Sequence, residues 1–202
     1  MKLGQIQIHS LAGQTIINTC LREDVNTIVE IGTWNGMGST RCICEATKNT
    51  DKKAISIEID IEKYKEAIQN IDSANIKLIY GKITNEYLSL DNLPDIFFTD
   101  YPIDIKKTWL YKDINNILTA PDVIEFLPEK IDFLILDGGE FTSNQEYLLL
   151  KSRSKYIFLD DTKPPAVKNY YSRLDMIKNH ITLVDNQTDR HGFYLGKINN
   201  LE

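Results

Sequence analysis

The sequence predicts an α/β domain in which helices cover both faces of a doubly wound, mostly parallel sheet. Apolar runs of strand length alternate with helix-compatible stretches along most of the chain, an order typical of parallel strands joined by helices. The runs are short and nearly continuous, as at Thr27–Ile31 and Ile131–Asp137, which is the pattern of strands buried on both faces. A length of 202 residues suits one such domain and can bury a large core.

The first half of the chain predicts three strands and three helices. A helix begins at Ser10, whose side chain suits an N-cap, and places Leu11, Ile17 and Leu21 on part of an apolar stripe. Each strand that follows is an apolar run that ends in an acidic residue or a glycine. The predicted elements are the helix Ser10–Arg22, the strand Thr27–Ile31, the helix Ser39–Thr47, the strand Ala54–Ile59, the helix Ile61–Ile71 and the strand Ile76–Tyr80.

The second half of the chain completes the sheet. Its last two apolar runs are separated by a short connection, so they predict an antiparallel hairpin at the sheet edge. The predicted elements are the strand Ile131–Asp137, the helix Ser143–Lys151, the strand Tyr156–Leu159, the helix Ala166–Asn179 and the hairpin strands Ile181–Val184 and Phe193–Ile198.

One connection is far longer than the others. Lys82–Lys130 spans 49 residues, whereas a crossover helix needs only about 12. It contains a helix-compatible stretch, Asp104–Leu118, and the aromatic residues Tyr101, Trp109 and Tyr111. Because long connections in compact domains are usually functional, we treat residues 1–202 as a single domain with a substrate-side insertion at about 82–130 that forms a lid or wall. The alternatives are extra helices on the sheet edge or a contact in a homo-oligomer.

The composition limits the partners of the chain. A net charge of −6 and an isoelectric point of about 5.2 argue against nucleic acid, because phosphate backbones attract basic surfaces. No run of about 18 apolar residues is present, so no membrane-spanning segment is expected. The start of the chain lacks the pattern of a signal peptide, and Cys20, Cys42 and Cys44 form no paired framework. These features predict a cytoplasmic protein with reduced thiols.

The most informative segment is the loop that follows the first strand. Glu30 lies near the end of that strand, and Gly32, Gly36 and Gly38 precede a predicted helix that begins at Ser39. Glycines let the backbone turn tightly and approach a ligand, and the start of a helix offers free N–H groups. The spacing G-x-x-x-G-x-G differs from the dinucleotide fingerprint G-x-G-x-x-G. A carboxylate at Glu30 would repel phosphate but can accept hydrogen bonds from an ammonium or hydroxyl group.

This segment resembles the first motif of class I S-adenosylmethionine-dependent methyltransferases, E/D-x-G-x-x-x-G-x-S/T. The resemblance implies S-adenosylmethionine as the cofactor and a Rossmann-like sheet of seven strands with a reversed last strand. It also implies that the loop wraps the methionine part of the cofactor, with the acidic residue near its amino group. The residues expected to bind the cofactor here are Glu30, Gly32, Thr33, Trp34, Gly36, Gly38 and Ser39.

A second acidic residue, Glu58, lies near the end of the next strand. It follows the last glycine of the loop by 20 residues, and a carboxylate at this distance can accept hydrogen bonds from both ribose hydroxyls. Asp60 would face the same side of a strand, but the family alignment favours Glu58, and Asp60 can instead cap the following helix. In related methyltransferases the residue that contacts adenine after the third strand is often Asp. This chain has Lys82 there, so the adenine contact is expected from the Lys82 backbone or from Ile83.

Three acidic residues lie at strand ends where catalysis is expected. Asp137 ends the fourth strand, and Asp160 and Asp161 follow the fifth. Carboxylates that lie close together repel each other unless a cation sits between them, and their hard oxygens suit Mg²⁺. A metal-bound hydroxyl also loses its proton more easily. The sequence therefore predicts a Mg²⁺ or Mn²⁺ site formed by these three residues.

The same three acids resemble those of metal-dependent O-methyltransferases of the catechol and sugar types. The match is best with the sugar and macrolide-sugar branch, which implies O-methylation of a sugar or another small hydroxylated metabolite in polysaccharide or natural-product modification. Relatives often carry Asp-Gly-Asp-His after the fourth strand, whereas this chain has Gly139 and Glu140 after Asp137 and Gly138. Asp137 and Glu140 are therefore the candidate catalytic residues, and Asp137 is also expected to contact the cofactor.

Two other interpretations stay open at this point. A metal-free methyltransferase would use Glu140 or His191 as its base. A non-catalytic S-adenosylmethionine-binding partner subunit would keep the glycine loop and Glu58 but methylate no acceptor. Chelation separates these interpretations, because it abolishes only a metal-dependent activity.

Overall fold

The computed structural model describes residues 6–87, 103–139, 141–162, 181–187 and 192–199. Strands and helices alternate along these residues in the predicted order. The strands are β1 (Thr27–Ile31), β2 (Lys53–Glu58), β3 (Ile76–Tyr80), β4 (Ile131–Leu136), β5 (Ser154–Asp160), β6 (Ile181–Gln187) and β7 (Phe193–Ile198). The helices are α1 (Leu11–Cys20), α2 (Ser39–Thr47), α3 (Ile61–Asn70), α4 (Ile103–Thr119) and α5 (Ser143–Leu150).

The strands form one sheet in the order β3-β2-β1-β4-β5-β7-β6. The first five strands pair in parallel, and β7 runs antiparallel to both β5 and β6. The predicted doubly wound, Rossmann-like sheet with a reversed last strand is confirmed. The strand order reverses between β1 and β4, and ligands of open α/β sheets bind beyond the carboxyl ends of the strands at such a point.

Two side chains fix helix starts as the sequence predicts. Ser10 Oγ accepts a hydrogen bond from Gly13 N at 3.1 Å and caps α1. Asp60 Oδ1 accepts hydrogen bonds from the backbone N–H groups of Glu62 at 2.9 Å and Lys63 at 3.3 Å, and caps α3. Each cap satisfies backbone donors that have no partner within the helix.

Successive side chains of the central strands are buried alternately in two apolar layers, one on each face of the sheet. Ile28 and Phe133 pack in one layer with residues of α1 and α2. Their sequence neighbours Val29 and Leu134 pack in the other layer with residues of α5. All four side chains are fully buried, because successive residues of a strand point to opposite faces and both faces of a parallel sheet are covered.

The insertion and the edge hairpin differ from the prediction in extent. Helix α4 is the predicted helix of the insertion, and a short 3-10 turn at Ile124–Phe126 follows it. Strands β5 and β6 are longer than predicted: antiparallel pairing with β7 includes Asp160 at the end of β5 and extends β6 to Gln187, and parallel pairing with β4 includes Ser154 at the start of β5. The predicted helix Ala166–Asn179 lies outside the described residues.

The described residues also show the lengths of the helices and the state of the three cysteines. None of the helices described there is both long enough and apolar enough to cross a membrane. Cys20, Cys42 and Cys44 are all free thiols. Burial raises the pKa of Cys44 to about 11, so its thiol stays protonated at neutral pH.

Candidate active site

A cavity of about 210 Å³ opens at the carboxyl ends of β1, β2 and β4. This is where the strand order reverses, as expected for a ligand site. Residues of the β1 loop, the β2 end, the β3 end, α4 and the β4–α5 connection line it together. Those with polar or charged side chains are Trp34, Glu58, Asp60, Lys63, Lys82, Lys112, Asp113, Asn116, Asp137, Thr142 and Glu146.

Glu58 occupies the tip of β2 and lines this cavity although only 7% of it is exposed. Its Oε2 accepts a hydrogen bond from Trp34 N at 2.6 Å, and its Oε1 accepts one from Asp60 N at 2.8 Å. Burial raises the pKa of Glu58 to about 7, and the two backbone N–H groups oppose this shift because they favour the charged form. The carboxylate is therefore oriented by backbone and held near its midpoint of ionisation at neutral pH.

The loop after β1 adopts a backbone that most residues avoid. Gly32 has φ +101°, and a Cβ there would lie 2.4 Å from the carbonyl oxygen of Asp137. Trp34 has φ +50°, an uncommon conformation for a bulky residue. That conformation directs its N–H to Glu58. The glycine at position 32 thus lets the loop cross the end of β4 closely enough to hold the β2 carboxylate.

Glu30 has a different set of partners from those predicted. It is fully buried and does not line the cavity. Its Oε2 accepts hydrogen bonds from Thr40 Oγ1 at 2.7 Å and from Ser56 Oγ, and Thr33 Oγ1 lies 2.5 Å from the same Ser56 hydroxyl. Burial raises the pKa of Glu30, against the effect of the neighbouring hydroxyls. Glu30 and Thr33 therefore connect β1 and its loop to α2 and β2 through buried hydrogen bonds that lie outside the cavity lining.

The other glycines of the loop lie away from the cavity. Gly36 has φ +79°, and a Cβ there would lie 2.7 Å from a side-chain carbon of Ile71, at the end of α3. Gly38 precedes α2 with a negative φ of −118°. Both glycines are among the residues expected to bind the cofactor. In the structure, packing against α3 and a left-handed turn require Gly36, and the described contacts of Gly38 do not involve the cavity.

Asp137 lies half-buried at the end of β4 and lines the cavity. Its Oδ2 accepts a hydrogen bond from Ser39 Oγ at 3.0 Å, and its backbone N–H donates to Ile31 O at 3.0 Å. Ser39, predicted to bind the cofactor, is buried and orients this carboxylate instead. Asp137 and Glu58 are thus the two predicted carboxylates that the fold brings to the cavity.

The three predicted metal ligands are not brought together. Asp160 is 2% exposed at the end of β5, and Asp161 follows it with φ +53°. Neither lines the cavity beside Asp137, and within the described residues no group of three or more His, Cys, Asp or Glu side chains is arranged to hold a metal ion. In this arrangement the described carboxylates do not form a shared site for Mg²⁺ or Mn²⁺.

Lys82 and Ile83, the residues expected near adenine, do line the cavity on the β3 side. The candidate bases Glu140 and His191 lie outside the described residues. Their predicted roles stay predictions.

The sequence analysis did not identify the residues of α4 and α5 that line the cavity. Lys112, Asp113 and Asn116 of α4 reach it from one side. Thr142 and Glu146 reach it from the other side, where Thr142 Oγ1 donates to Glu146 Oε1 at 2.8 Å. The available signal was the i, i+4 spacing of Lys112 and Asn116 in α4, and of Thr142 at the N-cap of α5 and Glu146 within that helix. This spacing places the two residues of each pair on the same side of their helix.

Comparisons of the sequence with known proteins find no relative, whereas comparisons of the structure find proteins with the same fold. No protein-family model matches the chain, and no curated protein matches it. Many solved structures do match.

Three of these structures are O-methyltransferases or candidates for that activity. A candidate caffeoyl-CoA O-methyltransferase from Staphylococcus aureus is 13% identical, with a TM-score of 0.61 over 95% of this chain and 84% of that one. An O-methyltransferase from Bacillus cereus in complex with S-adenosylhomocysteine is 14% identical, with a TM-score of 0.57 over 98% and 84%. TomG from Streptomyces achromogenes, an O-methyltransferase of tomaymycin synthesis in complex with S-adenosylmethionine, is 14% identical, with a TM-score of 0.54 over 92% and 78%. This chain therefore has the fold of the class I S-adenosylmethionine-dependent methyltransferases.

Proposed function

We propose that this chain is an S-adenosylmethionine-dependent methyltransferase that methylates a hydroxyl oxygen of a small acceptor. The observation that carries this proposal is the Glu58 carboxylate, which is almost fully buried, held by two backbone N–H groups and still faces a cavity. A carboxylate at the tip of the second strand is suited to accept hydrogen bonds from both ribose hydroxyls. The likeness in fold to O-methyltransferases that hold this cofactor or its product supports the same use.

The other residues of the cavity fit the remaining parts of this cofactor. Ile83, 5% exposed on the β3 side, offers an apolar wall for adenine. Gly32 and Trp34 form the β1 side, where the methionine part would lie. When bound, S-adenosylmethionine supplies a methyl group activated by a positively charged sulfur.

Asp137 is the described residue best placed to act on the acceptor. It lines the cavity at the end of β4, and Ser39 orients its carboxylate. A carboxylate so held can take the proton of an acceptor hydroxyl while the oxygen is methylated. Glu140 and His191 are the proposed alternatives for this role.

The proposed acceptor is a sugar or another small hydroxylated metabolite. This proposal rests on the resemblance of the segments after β4 and β5 to those of sugar O-methyltransferases. We assign no step to Mg²⁺ or Mn²⁺, because the described carboxylates do not converge. Asp137 and Glu146, which line the same cavity and are not assigned to the nucleoside, would hydrogen-bond the hydroxyls of such an acceptor.

Calorimetric titration with S-adenosylhomocysteine tests the cofactor, and we expect micromolar affinity. Release of S-adenosylhomocysteine from S-adenosylmethionine, measured with a panel of hexoses, deoxysugars and catechols, tests the reaction. Asp137→Asn should keep the affinity and lower the turnover. Absence of binding would contradict the proposal, and binding without turnover across the panel would favour a non-catalytic partner subunit.

A further inference from the structure

We infer that Lys112, on helix α4 of the long insertion, is a positioning residue that couples the insertion to the ribose-binding carboxylate Glu58. The inference rests on the proposed function, since it requires a nucleoside ligand in the cavity that Glu58 lines. It goes beyond that function because it gives the insertion a part in cofactor binding and names the residue through which it acts.

Asp60 is the residue at which the coupling takes place. Its Oδ2 lies 2.6 Å from Lys112 Nζ, while its Oδ1 caps α3. Its backbone N–H donates to Glu58 Oε1 at 2.8 Å. Asp60 therefore forms an ion pair with α4, caps α3 and donates a hydrogen bond to the Glu58 carboxylate. Because of these contacts, a displacement of Lys112 acts on a residue only two positions from Glu58.

Helix α4 presents a polar face to the cavity and an apolar face to the protein. Lys112, Asp113 and Asn116 line the cavity. Leu110 and Ile117, only 4% and 3% exposed, are buried. This burial fixes the rotation of the helix about its axis, and that rotation directs Lys112 toward the mouth of the cavity.

The carboxyl end of α4 is attached to the β3 side of the same cavity. Lys82 Nζ donates a hydrogen bond to Ile117 O. Lys82 N also donates to Pro121 O at 2.9 Å, just after the helix. The end of α4 is thus tied beside the expected adenine site, and Lys112 ties the middle of the helix beside the expected ribose site. Together the two attachments make α4 one wall of the nucleoside half of the cavity.

The charges around Glu58 make the coupling measurable. The charged side chains that line its cavity are Asp60 and Lys63 at the start of α3, Lys82 after β3, Lys112 and Asp113 on α4, Asp137 at the end of β4 and Glu146 on α5. The ion pair with Asp60 raises the pKa of Lys112, which therefore stays charged. The Lys112 charge lowers the pKa of Glu58, whereas the Asp60 charge raises it.

Two substitutions break the same ion pair with opposite effects on ionisation. In Lys112→Gln, Glu58 loses a stabilising positive charge, so it should ionise at higher pH. In Asp60→Asn, Glu58 loses a repelling negative charge, so it should ionise at lower pH. Asparagine still caps a helix and keeps its backbone N–H, and Lys112 is largely exposed, so both variants should fold.

The experiment is a calorimetric titration with S-adenosylhomocysteine from pH 6 to pH 9 on the wild type and both variants. We expect the pH midpoint of binding to rise in Lys112→Gln and to fall in Asp60→Asn. At pH 7 we expect Lys112→Gln to bind about two- to fivefold more weakly, the range for loss of an exposed ion pair, and Lys112→Arg to restore both affinity and midpoint. Hydrogen exchange of Ile103–Thr119 should slow on addition of the ligand in the wild type, and less so in both variants.

Lys65→Gln is the matched control. Lys65 forms an ion pair of similar length, 2.8 Å, with Glu62 on the exposed face of α3, away from the cavity. Its affinity and midpoint should equal those of the wild type. If Lys112→Gln and Asp60→Asn also match the wild type, or shift the midpoint in the same direction, the coupling is overturned while cofactor binding stands. If the wild type does not bind S-adenosylhomocysteine, the proposed function itself fails.

Discussion

The ends of β2 and β5 carry the same sequence signal and have different structures. Each strand ends in a buried acidic residue with a second acid close behind. At β2, Glu58 is held by two backbone N–H groups and lines the cavity, and Asp60 caps α3. At β5, Asp160 is buried without lining that cavity, and Asp161, which has a left-handed backbone conformation, does not line it either. An acidic residue at the end of a strand therefore lines the cavity only where the surrounding segments leave its carboxylate accessible from that cavity.

The segments that follow and flank the two strand ends also differ. The end of β2 lies between the β1 loop and β3, and Trp34 and Gly81 extend its backbone contacts. The end of β5 is paired with β7, and Thr162 N donates to Gly192 O at 3.1 Å just beyond it. The glycine loop and the insertion helix thus border a cavity at the end of β2, whereas the described backbone contacts at the end of β5 join it to β7 and Gly192.

Gly32→Val should have the largest effect, because it removes the loop crossing on which the β2 end depends. A side chain would be strained at φ +101° and would collide with the backbone of Asp137 at 2.4 Å. Strain and overpacking together should lower the free energy of unfolding by on the order of 3 kcal/mol or more. Urea denaturation measures it. Gly138→Ala is the control, since its Cβ would meet Ile31 Cγ2 at 3.3 Å and the Ile31 backbone no closer than 3.5 Å. A stable Gly32→Val protein would contradict this account of the loop.

Glu58→Ala and Asp160→Asn compare the two strand ends directly. Removal of Glu58 should weaken binding of S-adenosylhomocysteine by about 1.5–3 kcal/mol, because the ribose hydroxyls lose a charged acceptor in a buried site. Asp160→Asn should bind the ligand as the wild type does, since Asp160 does not line the cavity. Calorimetry measures both affinities. Equal losses in the two variants would remove the distinction between the strand ends.

The ionisation of Glu58, at the end of β2, should also make stability and cofactor affinity depend on pH. The pKa of Glu58 is raised from 4.5 to about 7 by burial, so the folded protein binds a proton more tightly than the unfolded chain. The contribution of Glu58 to the stability of the unliganded protein should therefore be fully present below its unfolded pKa of 4.5 and be lost as pH rises toward about 7. Affinity for S-adenosylhomocysteine should rise over pH 6 to 8, since the charged form accepts hydroxyl hydrogen bonds more strongly. Glu58→Gln should flatten both curves, and unchanged curves would assign them to another group.

Chelation should have the smallest effect. Because Asp137, Asp160 and Asp161 do not form a shared site, we expect the initial rate of methyl transfer to survive exhaustive treatment with EDTA. Activity lost on chelation and restored by Mg²⁺ or Mn²⁺ would show that the β5 acids move to join Asp137. That result would bring the two strand ends into one catalytic site.

Local patterns predicted much of the fold and part of the site. The apolar run Thr27–Ile31 and the helix Ser39–Thr47 have their predicted bounds, because burial on both faces and helix periodicity are encoded in neighbouring residues. The cap at Asp60 was also predictable, since it involves residues only two and three positions away. Glu58 could be chosen over Asp60 only with the help of the family resemblance.

The remaining parts of the site depend on residues that are far apart in the chain. The Lys112–Asp60 ion pair joins an insertion helix to a helix cap across 52 positions, and no local pattern encodes such a contact. The same is true of the pairing of Asp160 with Phe193 of β7.

The sequence by itself determined the order of strands and helices, the acidic strand ends and the glycine loop. The tertiary structure decided which acids face the cavity. Glu30 and Glu58 both lie near strand ends, yet Glu30 is enclosed by the hydroxyls of Thr40 and Ser56 whereas Glu58 meets the cavity. The physical reason is that the type of an element follows from short-range periodicity, whereas the exposure of a carboxylate depends on which distant backbone packs beside it.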